Sequence, residues 1–474
     1  MSLHADVLNS YAPVDESLAD TLLEQEISKN SKKIVVLDDD PTGVQTVHDI
    51  SVYTSWTKDS ITQGFAEENK LFYILTNSRG FTAAQTEQVH KEIAAVVDEV
   101  SRETGTEYIF ISRSDSTLRG HYPLETAVLK ESYEKNTGKP VDGEILCPFF
   151  REGGRFTIDN VHYVKDGDRL IPAAETEFAR DKTFGYTVSN LKEYVEEKTK
   201  GAFRKESVTA ISLKDLREMR LDAIEQQLME VTGFNKIIVN AIDYADIKVF
   251  CIALFRAMAR GKVFLFRTAA AIVKVMGGVS DQPLLTRDQM VVRETGNGGI
   301  IVVGSHTEKT TRQLEMLKEN PDIAFVELDA TLVREEDAFD REVARCLALE
   351  EEYLKAGTTV CVYTTRALIT ADTGDKEDDL RLSVKISDAV QSLVGRLSVV
   401  PAFVIAKGGI TSSDVGTKAL AVQKASVLGQ IKPGIPVWQT GAESKFPLTP
   451  YVIFPGNVGE ISTLKEAAEI LMQP

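Results

Sequence analysis

Apolar and polar residues follow one another along this chain in a repeated pattern. Short apolar runs rich in β-branched residues each end in a polar or glycine-rich turn, and most of them precede a stretch with helical periodicity, such as Thr86–Glu99 and Lys214–Glu230. Because such runs alternate with helices, they predict parallel sheets that helices cover on both faces. The predicted strands are KIVVLDDD, LFYILTNSRG, YIFISRSD, EILCPFF, KIIVNAID, KVFLFR, GIIVVGSH, IAFVELDA, TVCVYTTR, AFVIAKGG, PVWQ and YVIFPGN.

The pattern predicts an α/β fold made of two Rossmann-like domains with mostly parallel sheets. A glycine cluster at Glu294–Gly299 has few apolar residues to anchor it and precedes a fresh strand, so it marks the predicted domain boundary. We therefore expect an N-terminal extension over residues 1–31, a first domain over 32–295 and a second over 296–474. The polar segment Lys165–Lys205 has weak periodicity and is expected to be an excursion from the first domain.

Composition and charge narrow the classes of partner. The chain has 474 residues, of which 43% are hydrophobic, and a net charge of −17. Nucleic acids and anionic membranes are bound chiefly by surplus Lys and Arg, so neither is expected as a partner. No apolar run reaches the ~18 residues of a membrane span, the first residues lack the features of a signal peptide, and the four cysteines are widely spaced. These features predict a cytoplasmic protein without disulfides or a zinc site.

The turn DDDPTG follows the first predicted strand. Asp39 and Asp40 stand at the strand end, Pro41 fixes the turn, and Gly43 allows the backbone to approach a ligand closely. Adjacent carboxylates at such a place suit the deprotonation of a hydroxyl or the binding of a magnesium ion. The alternative is that these residues only form a turn and cap the next helix.

Two further polar turns, TNSRG and SRSDSTLRG, end the next two predicted strands. Asp115 could act as a base, and the hydroxyls of Ser116 and Thr117 could donate hydrogen bonds to an anion. The same segment could instead be a helix N-cap with solvated arginines nearby. The turns also supply guanidinium groups that could bind a carboxylate bidentately, on Arg79, Arg113 and Arg119.

Three turns in the second half of the chain have the composition of phosphate-binding loops. GSHTEKTTRQ begins at Gly304, KGGITSSD at Lys407 and FPGNVGE at Phe454, each after a predicted strand. Ser305, Thr307 and free backbone N–H groups could bind phosphate. Each turn alone would more often be a helix cap, but their common position at strand ends predicts a nucleotide site. The chain has no Walker loop, no GxGxxG fingerprint after a strand and no GxSxG motif.

Taken in order, the motifs DDxTG, SR, DSTLRG, EGGR, GS with a downstream Gln, GGxTS and PGNxG resemble those of the four-carbon acid sugar kinase family. The resemblance runs from about Lys32 to near the C-terminus. It implies a first domain that binds a small sugar acid, a second domain that binds ATP, and an active site in the cleft between them. Phosphate would pass, with magnesium, to a terminal hydroxyl of a four-carbon or branched acid such as 3-oxo-tetronate, erythronate or threonate.

The resemblance also implies site residues. The sugar acid would contact Asp39, Arg79, Arg113, Ser114, Asp115, Ser116 and Thr117. ATP would contact Ser305, Thr307, Gly408, Gly409, Ile410, Thr411, Gly456 and Asn457. The chemistry of the residues, independently of the resemblance, predicts Asp39, Asp115 and Arg119 as the catalytic residues. Either aspartate could serve as the base, and Arg119 could stabilise the transferring charge or pair with Asp115.

Several points remain open at this stage. The chain has Arg113 where a lysine is common in the family, and DDDP where DDF is usual, so the choice of sugar acid is open. A sugar-acid isomerase or oxidoreductase on a doubly wound fold is one alternative, and a non-catalytic sugar-acid sensor is another. A homo-oligomer is an expectation that the sequence does not decide.

Overall fold

The structure is a computed structural model that describes residues 2–367, 369 and 376–473, with the backbone alone for residues 376–380. Its strands, in chain order, are β1 (Leu3–His4), β2 (Lys33–Asp38), β3 (Ile50–Tyr53), β4 (Leu71–Leu75), β5 (Tyr108–Arg113), β6 (Gly143–Cys147), β7 (Arg155–Ile158), β8 (Val161–Asp166), β9 (Arg169–Pro172), β10 (Thr209–Ile211), β11 (Asn235–Val239), β12 (Phe264–Thr268), β13 (Ile300–Val303), β14 (Ile323–Leu328), β15 (Thr359–Thr364), β16 (Val404–Lys407), β17 (Lys424–Lys432), β18 (Ile435–Thr440) and β19 (Pro450–Phe454).

The helices, again in chain order, are α1 (Glu16–Lys29), α2 (Lys58–Ala66), α3 (Ala83–Thr104), α4 (Leu124–Thr137), α5 (Leu191–Lys198), α6 (Leu213–Arg217), α7 (Leu221–Glu230), α8 (Tyr244–Ala259), α9 (Ala270–Met276), α10 (Arg287–Met290), α11 (Glu308–Leu317), α12 (Glu336–Lys355), α13 (Lys376–Gly395), α14 (Gly409–Asp414) and α15 (Thr463–Met472). Short 3-10 turns lie between them, as at Pro41–Val44 and Ser78–Gly80. In the part of the chain that the structure describes, no helix is long and apolar enough to cross a membrane.

The chain forms two compact units, as an α/β protein with two domains. The first unit holds the residues up to Gly43 and Ser55–Asp281, and the second holds Val44–Thr54 and the chain from Gln282 onward. The predicted boundary lay later, after residue 295. The segment from Gln282 joins the second unit because Leu285 and Met290 are buried in that unit's core and the Leu285 N–H donates to the Gln430 carbonyl at 2.8 Å.

The first unit has a parallel sheet in the order β10-β11-β6-β12-β5-β2-β4. Its register places Asp38 beside Arg113, Arg113 beside Thr268, and Thr268 beside Cys147, so the carboxyl ends of four strands lie in one row. The turns that leave these strands therefore start from one edge of the sheet. This is the edge where open α/β sheets bind their ligands.

The first unit also has a second, antiparallel sheet in the order β1-β9-β8-β7, to which the predicted excursion contributes β9 and the end of β8. The N-terminal residues pair with this sheet through β1, and α1 packs on α8, where Lys248 contacts Asp20 at 2.5 Å and Arg256 contacts Glu26 at 3.3 Å. The predicted N-terminal extension is therefore part of the first unit.

The second unit has a mixed sheet in the order β3-β17-β18-β19-β16-β13-β15-β14. The strands from β19 to β14 are parallel, whereas β3, β17, β18 and β19 pair antiparallel. The sequence pattern did not predict β17 because its residues alternate between buried and partly exposed, unlike the wholly apolar runs. The register aligns the ends of the parallel strands, with Val303 beside Lys407 and Lys407 beside Phe454.

Candidate functional site

The end of β2 carries two carboxylates that bind one arginine. Arg79, in the turn after β4, donates from Nη2 to Asp39 Oδ1 at 2.6 Å and from Nε to Asp39 Oδ2 at 3.3 Å. Its Nη1 also donates to Asp40 Oδ2 at 3.2 Å. The two residues meet because β2 and β4 are neighbours in the sheet. A bidentate contact of this kind fixes the orientation of both side chains.

A second arginine lies deeper in the same edge. Arg113 Nη1 donates to Asp38 Oδ1 at 3.0 Å, and only 4% of Arg113 and 1% of Asp38 are exposed. Burial raises the pKa of Asp38 to about 7, against the opposing effect of Arg113. Arg113 was predicted to contact the sugar acid, and the structure places its guanidinium in this buried ion pair. That assignment stays a prediction.

Ser114 connects Asp39 with the turn that carries Asp115 and Arg119. Its hydroxyl donates to Asp39 Oδ2 at 2.6 Å and lies 3.3 Å from the carbonyl oxygen of Arg119. Arg119 in turn donates from Nε to Asp115 Oδ2 at 2.7 Å, and the Thr117 hydroxyl donates to the same oxygen. The structure therefore brings the predicted residues Asp39, Ser114, Asp115 and Arg119 into one network, with Arg119 paired to Asp115.

The two candidate bases are both held in the charged form. Burial by itself would raise the pKa of Asp39, but the charges of Arg79, Arg113 and Arg267 together lower it. Burial likewise opposes ionisation of Asp115, yet Arg119 and Arg79 hold the pKa of that carboxyl well below its ordinary value. At neutral pH both groups are therefore hydrogen-bond acceptors with a negative charge. Their geometry suits accepting a hydrogen bond from a ligand hydroxyl, and it does not choose between them.

The turn from Ser116 to Leu118 is held from behind by one residue of β8 and by two residues of the predicted excursion Lys165–Lys205. Tyr186 donates its hydroxyl hydrogen to the Thr117 carbonyl at 2.8 Å, and Tyr194 donates to the Leu118 carbonyl at 2.9 Å. His162 Nε2 lies 2.8 Å from the Ser116 carbonyl. Ser116 thus contributes its backbone to the turn, with the side chain largely buried.

The histidine contact also fixes a tautomer. Because a carbonyl only accepts, His162 Nε2 must carry the proton, and Nδ1 then accepts from the Thr157 hydroxyl at 3.0 Å. Burial lowers the pKa of His162 to about 4, so the ring is neutral at neutral pH. No motif in the sequence marks His162, Tyr186 or Tyr194 for this role, since all three act on backbone atoms that lie far away along the chain.

Arg267 is a further residue of this edge that the sequence analysis missed. It ends the predicted strand KVFLFR, and its Nη2 donates to the Arg119 carbonyl at 2.8 Å. Its Nη1 lies 3.4 Å from Glu125 Oε2, and Ser78 donates to the other oxygen of Glu125 at 2.7 Å. Arg267 lies opposite Ser112, the residue before Arg113, because β12 pairs with β5. The feature of the sequence that could have identified Arg267 is its position at the end of a predicted strand.

In the second unit, the three predicted loops contact one another, two of them through the Thr310 hydroxyl. Thr310 Oγ1 lies 3.2 Å from Ser305 Oγ and 3.2 Å from the Gly456 carbonyl oxygen. Thr307 caps α11 by accepting from the Thr310 N–H at 3.3 Å. Gly408 has a φ of +123°, and a Cβ atom there would come within 3.0 Å of Ser305 Cβ, so the close approach of these two loops needs a glycine.

A cavity of about 330 Å³ opens beside these loops. One side is formed by residues 304–306 and another by residues 408–411, where Ile410 is 74% exposed. The third side is a face of α13 that carries Ser383, Ile386, Ser387 and Val390. Of the residues predicted to contact ATP, this cavity is lined by Ser305, Gly408, Gly409, Ile410 and Thr411. Thr307, Gly456 and Asn457 belong to the adjoining loops, and the α13 face was not predicted.

Lys407 holds the loop after β19, which adjoins this cavity, by hydrogen bonds. Its side chain is fully buried, and Nζ donates to the carbonyl oxygens of Pro455 at 2.5 Å and Gly456 at 3.1 Å. The ammonium nitrogen also lies 4.2 Å from the centre of the Phe454 ring. Burial lowers the pKa of Lys407 to about 6, and the charge of Lys309 adds to that shift. Lys407 therefore positions the loop after β19 against the loop after β16.

The described residues do not offer a protein-held metal site. Among residues 2–367, 369 and 376–473, no group of three or more His, Cys, Asp or Glu side chains is placed to hold a metal ion. Magnesium was predicted together with ATP, and the described residues provide no group of three such ligands for it.

Comparison with known proteins defines the class first. Residues 34–276 match the family model described as a sugar-binding N-terminal domain, and residues 300–464 match the one described as a nucleotide-binding C-terminal domain. The chain is thus a two-domain α/β protein with a sugar-binding and a nucleotide-binding domain. It belongs to the four-carbon acid sugar kinase family, whose architecture these two domains make up.

Solved structures share this fold. Protein HI1011 of Haemophilus influenzae is 16% identical, with a TM-score of 0.59 over 92% of this chain and 100% of its own. A Salmonella typhimurium protein named “putative tRNA synthase” is also 16% identical, with a TM-score of 0.65 over 92% of this chain and 98% of its own. At such identities the likeness concerns the fold alone. No curated protein matches the sequence.

Proposed function

We propose that this protein is an ATP-dependent kinase that phosphorylates the terminal hydroxyl of a small sugar acid. The acid has four carbons or a branched skeleton, as in 3-oxo-tetronate, erythronate or threonate. One observation carries the proposal: the sugar-binding domain holds a network of charged carboxylates, guanidiniums and hydroxyls at a strand edge, while the nucleotide-binding domain of the same chain holds a cavity lined by hydroxyls and glycines.

The first network suits a polyhydroxylated ligand. Charged Asp39 and Asp115 accept hydrogen bonds, and each is held in place by an arginine, Arg79 and Arg119 respectively. In phosphoryl transfer the protein mainly positions the reactants and stabilises charge, so a rigid, charged acceptor is what the attacking hydroxyl requires. We propose that Asp39 or Asp115 orients that hydroxyl and accepts its proton. Arg119 lies at hydrogen-bond distance from Asp115 and would help to stabilise the charge that develops on the phosphoryl group.

The second site suits a nucleotide. The hydroxyls of Ser305 and Thr411 and the backbone N–H groups at the start of α14, after Gly408, are donors of the kind that phosphate oxygens accept. Ile386 and Val390 on α13 offer an apolar surface for the flat face of a base. A cavity of about 330 Å³ is at the small end of the ligand-binding range, as expected for a nucleoside rather than a whole macromolecular ligand.

Magnesium forms part of the proposal only as the companion of ATP. Mg²⁺ commonly binds through substrate phosphates and few protein carboxylates, and it keeps several of its waters. Since the described residues provide no cage of three carboxylate, imidazole or thiolate ligands, the ion would be carried on the triphosphate.

ADP release from ATP and magnesium, measured against a panel of four-carbon and branched sugar acids, tests the proposed function. The panel contains erythronate, threonate, 2-oxo-tetronate, 3-oxo-tetronate and 3-oxo-isoapionate, and the Asp115→Asn variant is the matched control. Turnover with one acid that the variant loses would support the reaction and the role of the site together.

Three results would contradict the proposal. Failure of the folded wild-type protein to bind ATP would exclude a kinase. Closure around a sugar acid with ATP bound but never consumed would instead favour a sensor, and conversion of an acid without ATP would favour an isomerase or oxidoreductase.

A further inference from the structure

Several arginines lie at the strand edge of the sugar-binding domain. They differ in whether a nearby carboxylate neutralises their charge. Four of them have ion-pair partners within 4.0 Å: Arg79 with Asp39, Arg113 with Asp38, Arg119 with Asp115, and Arg267 with Glu125. Arg155, which begins β7, has no ion pair with any residue that the structure describes. Its Nε is buried and has no hydrogen-bond partner among those residues.

The backbone around Arg155 is fixed by the EGGR motif. After β6, the chain turns through Arg151–Gly153 and Gly154, and Arg155 then pairs with Phe150 through hydrogen bonds of 3.1 Å and 2.8 Å. Gly154 has a φ of +72°, which favours glycine, and a Cβ atom there would lie 2.9 Å from Lys165 Cβ. The turn therefore sets the direction in which Arg155 leaves the backbone.

The Arg155 side chain lies beside the Asp115 part of the network. Its guanidinium carbon is 5.5 Å from the centre of the Phe178 ring, and that of Arg119 is 5.1 Å from the same ring. Burial lowers the pKa of Arg155, the negative charge of Asp115 opposes that shift, and Arg119 adds to it. A guanidinium stays protonated at neutral pH even so. Arg155 is thus a partly buried positive charge that has no ion-pair partner among the described residues.

An unpaired, partly buried charge is costly, and a protein keeps one where a ligand completes the pair. The buried Nε and the neighbouring Nη2 of an arginine form the edge that binds a carboxylate through two parallel hydrogen bonds. Arg155 Nε has no hydrogen-bond partner, so no residue that the structure describes already occupies this edge. The arginines predicted from the sequence to bind the acid, Arg79 and Arg113, already have carboxylate partners of their own.

We infer that Arg155 binds the carboxylate group of the substrate and so makes this domain specific for sugar acids over neutral sugars of the same skeleton. This inference rests on the proposed function. The substrate carboxylate would lie against Arg155, and its hydroxyls would extend toward the acceptors Asp115 and Asp39.

Binding of acids and of their uncharged counterparts tests this inference without any need for turnover. Calorimetry in the absence of ATP would compare the five acids of the panel with the primary amides of erythronate and threonate. The variants are Arg155→Met, Arg155→Lys and the control Arg151→Met. Arg151 begins the same turn, is half exposed, lies 3.7 Å from Asp243 and stacks over the Tyr244 ring at 4.7 Å, so it matches Arg155 in residue type and location.

The wild-type protein and Arg151→Met should bind the carboxylate tighter than the amide by about 10- to 100-fold, the range of a charge-assisted hydrogen-bonded pair. Arg155→Met should lose most of this preference while keeping its affinity for ATP. Arg155→Lys keeps the charge but not the planar guanidinium group, so it should retain an intermediate preference for the carboxylate. It also provides a second test if the Met variant misfolds.

The outcomes separate this inference from the proposed function. If the wild-type protein binds and phosphorylates an acid, and Arg155→Met keeps the full preference for carboxylate, the inference is overturned and the kinase stands. If the Arg155→Met variant does not fold, the Arg155→Lys variant decides. A folded Arg155→Lys variant that prefers the carboxylate over the amide as strongly as the wild type would likewise overturn bidentate binding. If the wild-type protein binds no acid of the panel, both fall.

Discussion

The Nε2 atom of His162 donates a hydrogen bond of 2.8 Å to the carbonyl oxygen of Ser116. The histidine lies on β8 of the small antiparallel sheet, whereas the serine lies in the turn that carries Asp115. Tyr186 and Tyr194 hold the next two carbonyls of that turn in the same way. The small sheet and the residues after it therefore fix the backbone of the proposed sugar-acid site.

Replacement of His162 by asparagine should lower the free energy of unfolding. The shorter side chain leaves the buried Ser116 carbonyl without its donor, a loss of about 1–3 kcal/mol. Urea denaturation at pH 7.5 measures the loss. The affinity for the sugar acid should fall as well, because the turn that carries Asp115 loses its support, while the affinity for ATP should not change. A variant as stable as the wild type would contradict this role.

The same residue should make stability depend on pH. The unfolded chain protonates His162 near the ordinary pKa of 6.5, but burial lowers the pKa to about 4 in the folded protein. Between these values the unfolded state binds more protons, so the free energy of unfolding falls as the pH is lowered. From pH 7.5 to pH 5 the stability difference between the wild type and His162→Asn should shrink by about 2 kcal/mol. A constant difference would show that the histidine is not buried in its neutral form.

Replacement of Asp115 by asparagine should abolish turnover while leaving ATP binding intact. Asparagine keeps the size of the side chain but removes the charge that orients Arg119 at 2.7 Å and accepts from Thr117. Loss of a charged, buried partner leaves Arg119 uncompensated, which disorganises the site more than the fold. ADP release and ATP calorimetry on the same preparation measure the two effects. Equal loss of both ligands would contradict the assignment of the two sites to separate domains.

Replacement of Gly408 by valine should have the opposite effect, with loss of ATP binding and retention of sugar-acid binding. The residue has a φ of +123°, and a side chain there would press on Ser305. Gly261→Val is the matched control. Gly261 has a φ of +97°, and a Cβ atom at this residue would have no neighbouring atom within 4 Å. Both variants carry backbone strain, but only the first should bind ATP weakly. Calorimetry with ATP and with the sugar acid separates them.

Replacement of Lys407 by methionine should weaken ATP binding by roughly tenfold or more, because the carbonyls of Pro455 and Gly456 lose their shared donor. The stability difference from the wild type should also depend on pH. The folded pKa of about 6 lies below the ordinary value of 10.5, so the unfolded state binds more protons between them. The wild type should therefore gain stability relative to the variant as the pH rises from 7 to 9. A pH-independent difference would mean that Lys407 keeps its proton in the folded state.

The sequence by itself determined most of the parallel strands of this protein and the turns that follow them. Wholly apolar runs predicted the parallel strands, and polar motifs at their ends predicted where Asp39, Arg79, Ser305 and Gly408 would lie. These inferences depend on local chemistry: apolar residues form buried strands, and aspartate, glycine and proline form the turns that follow them. Parallel neighbours then align those turns at one edge of each sheet.

Only the tertiary structure decided which charges are paired. The sequence shows Arg113 and Arg155 alike as arginines near motifs, but β5 lies beside β2 and places Arg113 against Asp38, whereas Arg155 has no carboxylate among the described residues within ion-pair distance. The contact of His162 with Ser116 and the α13 face of the nucleotide cavity were equally invisible. Such contacts join residues that are distant in the chain, and their energies depend on packing and burial, which no local pattern specifies.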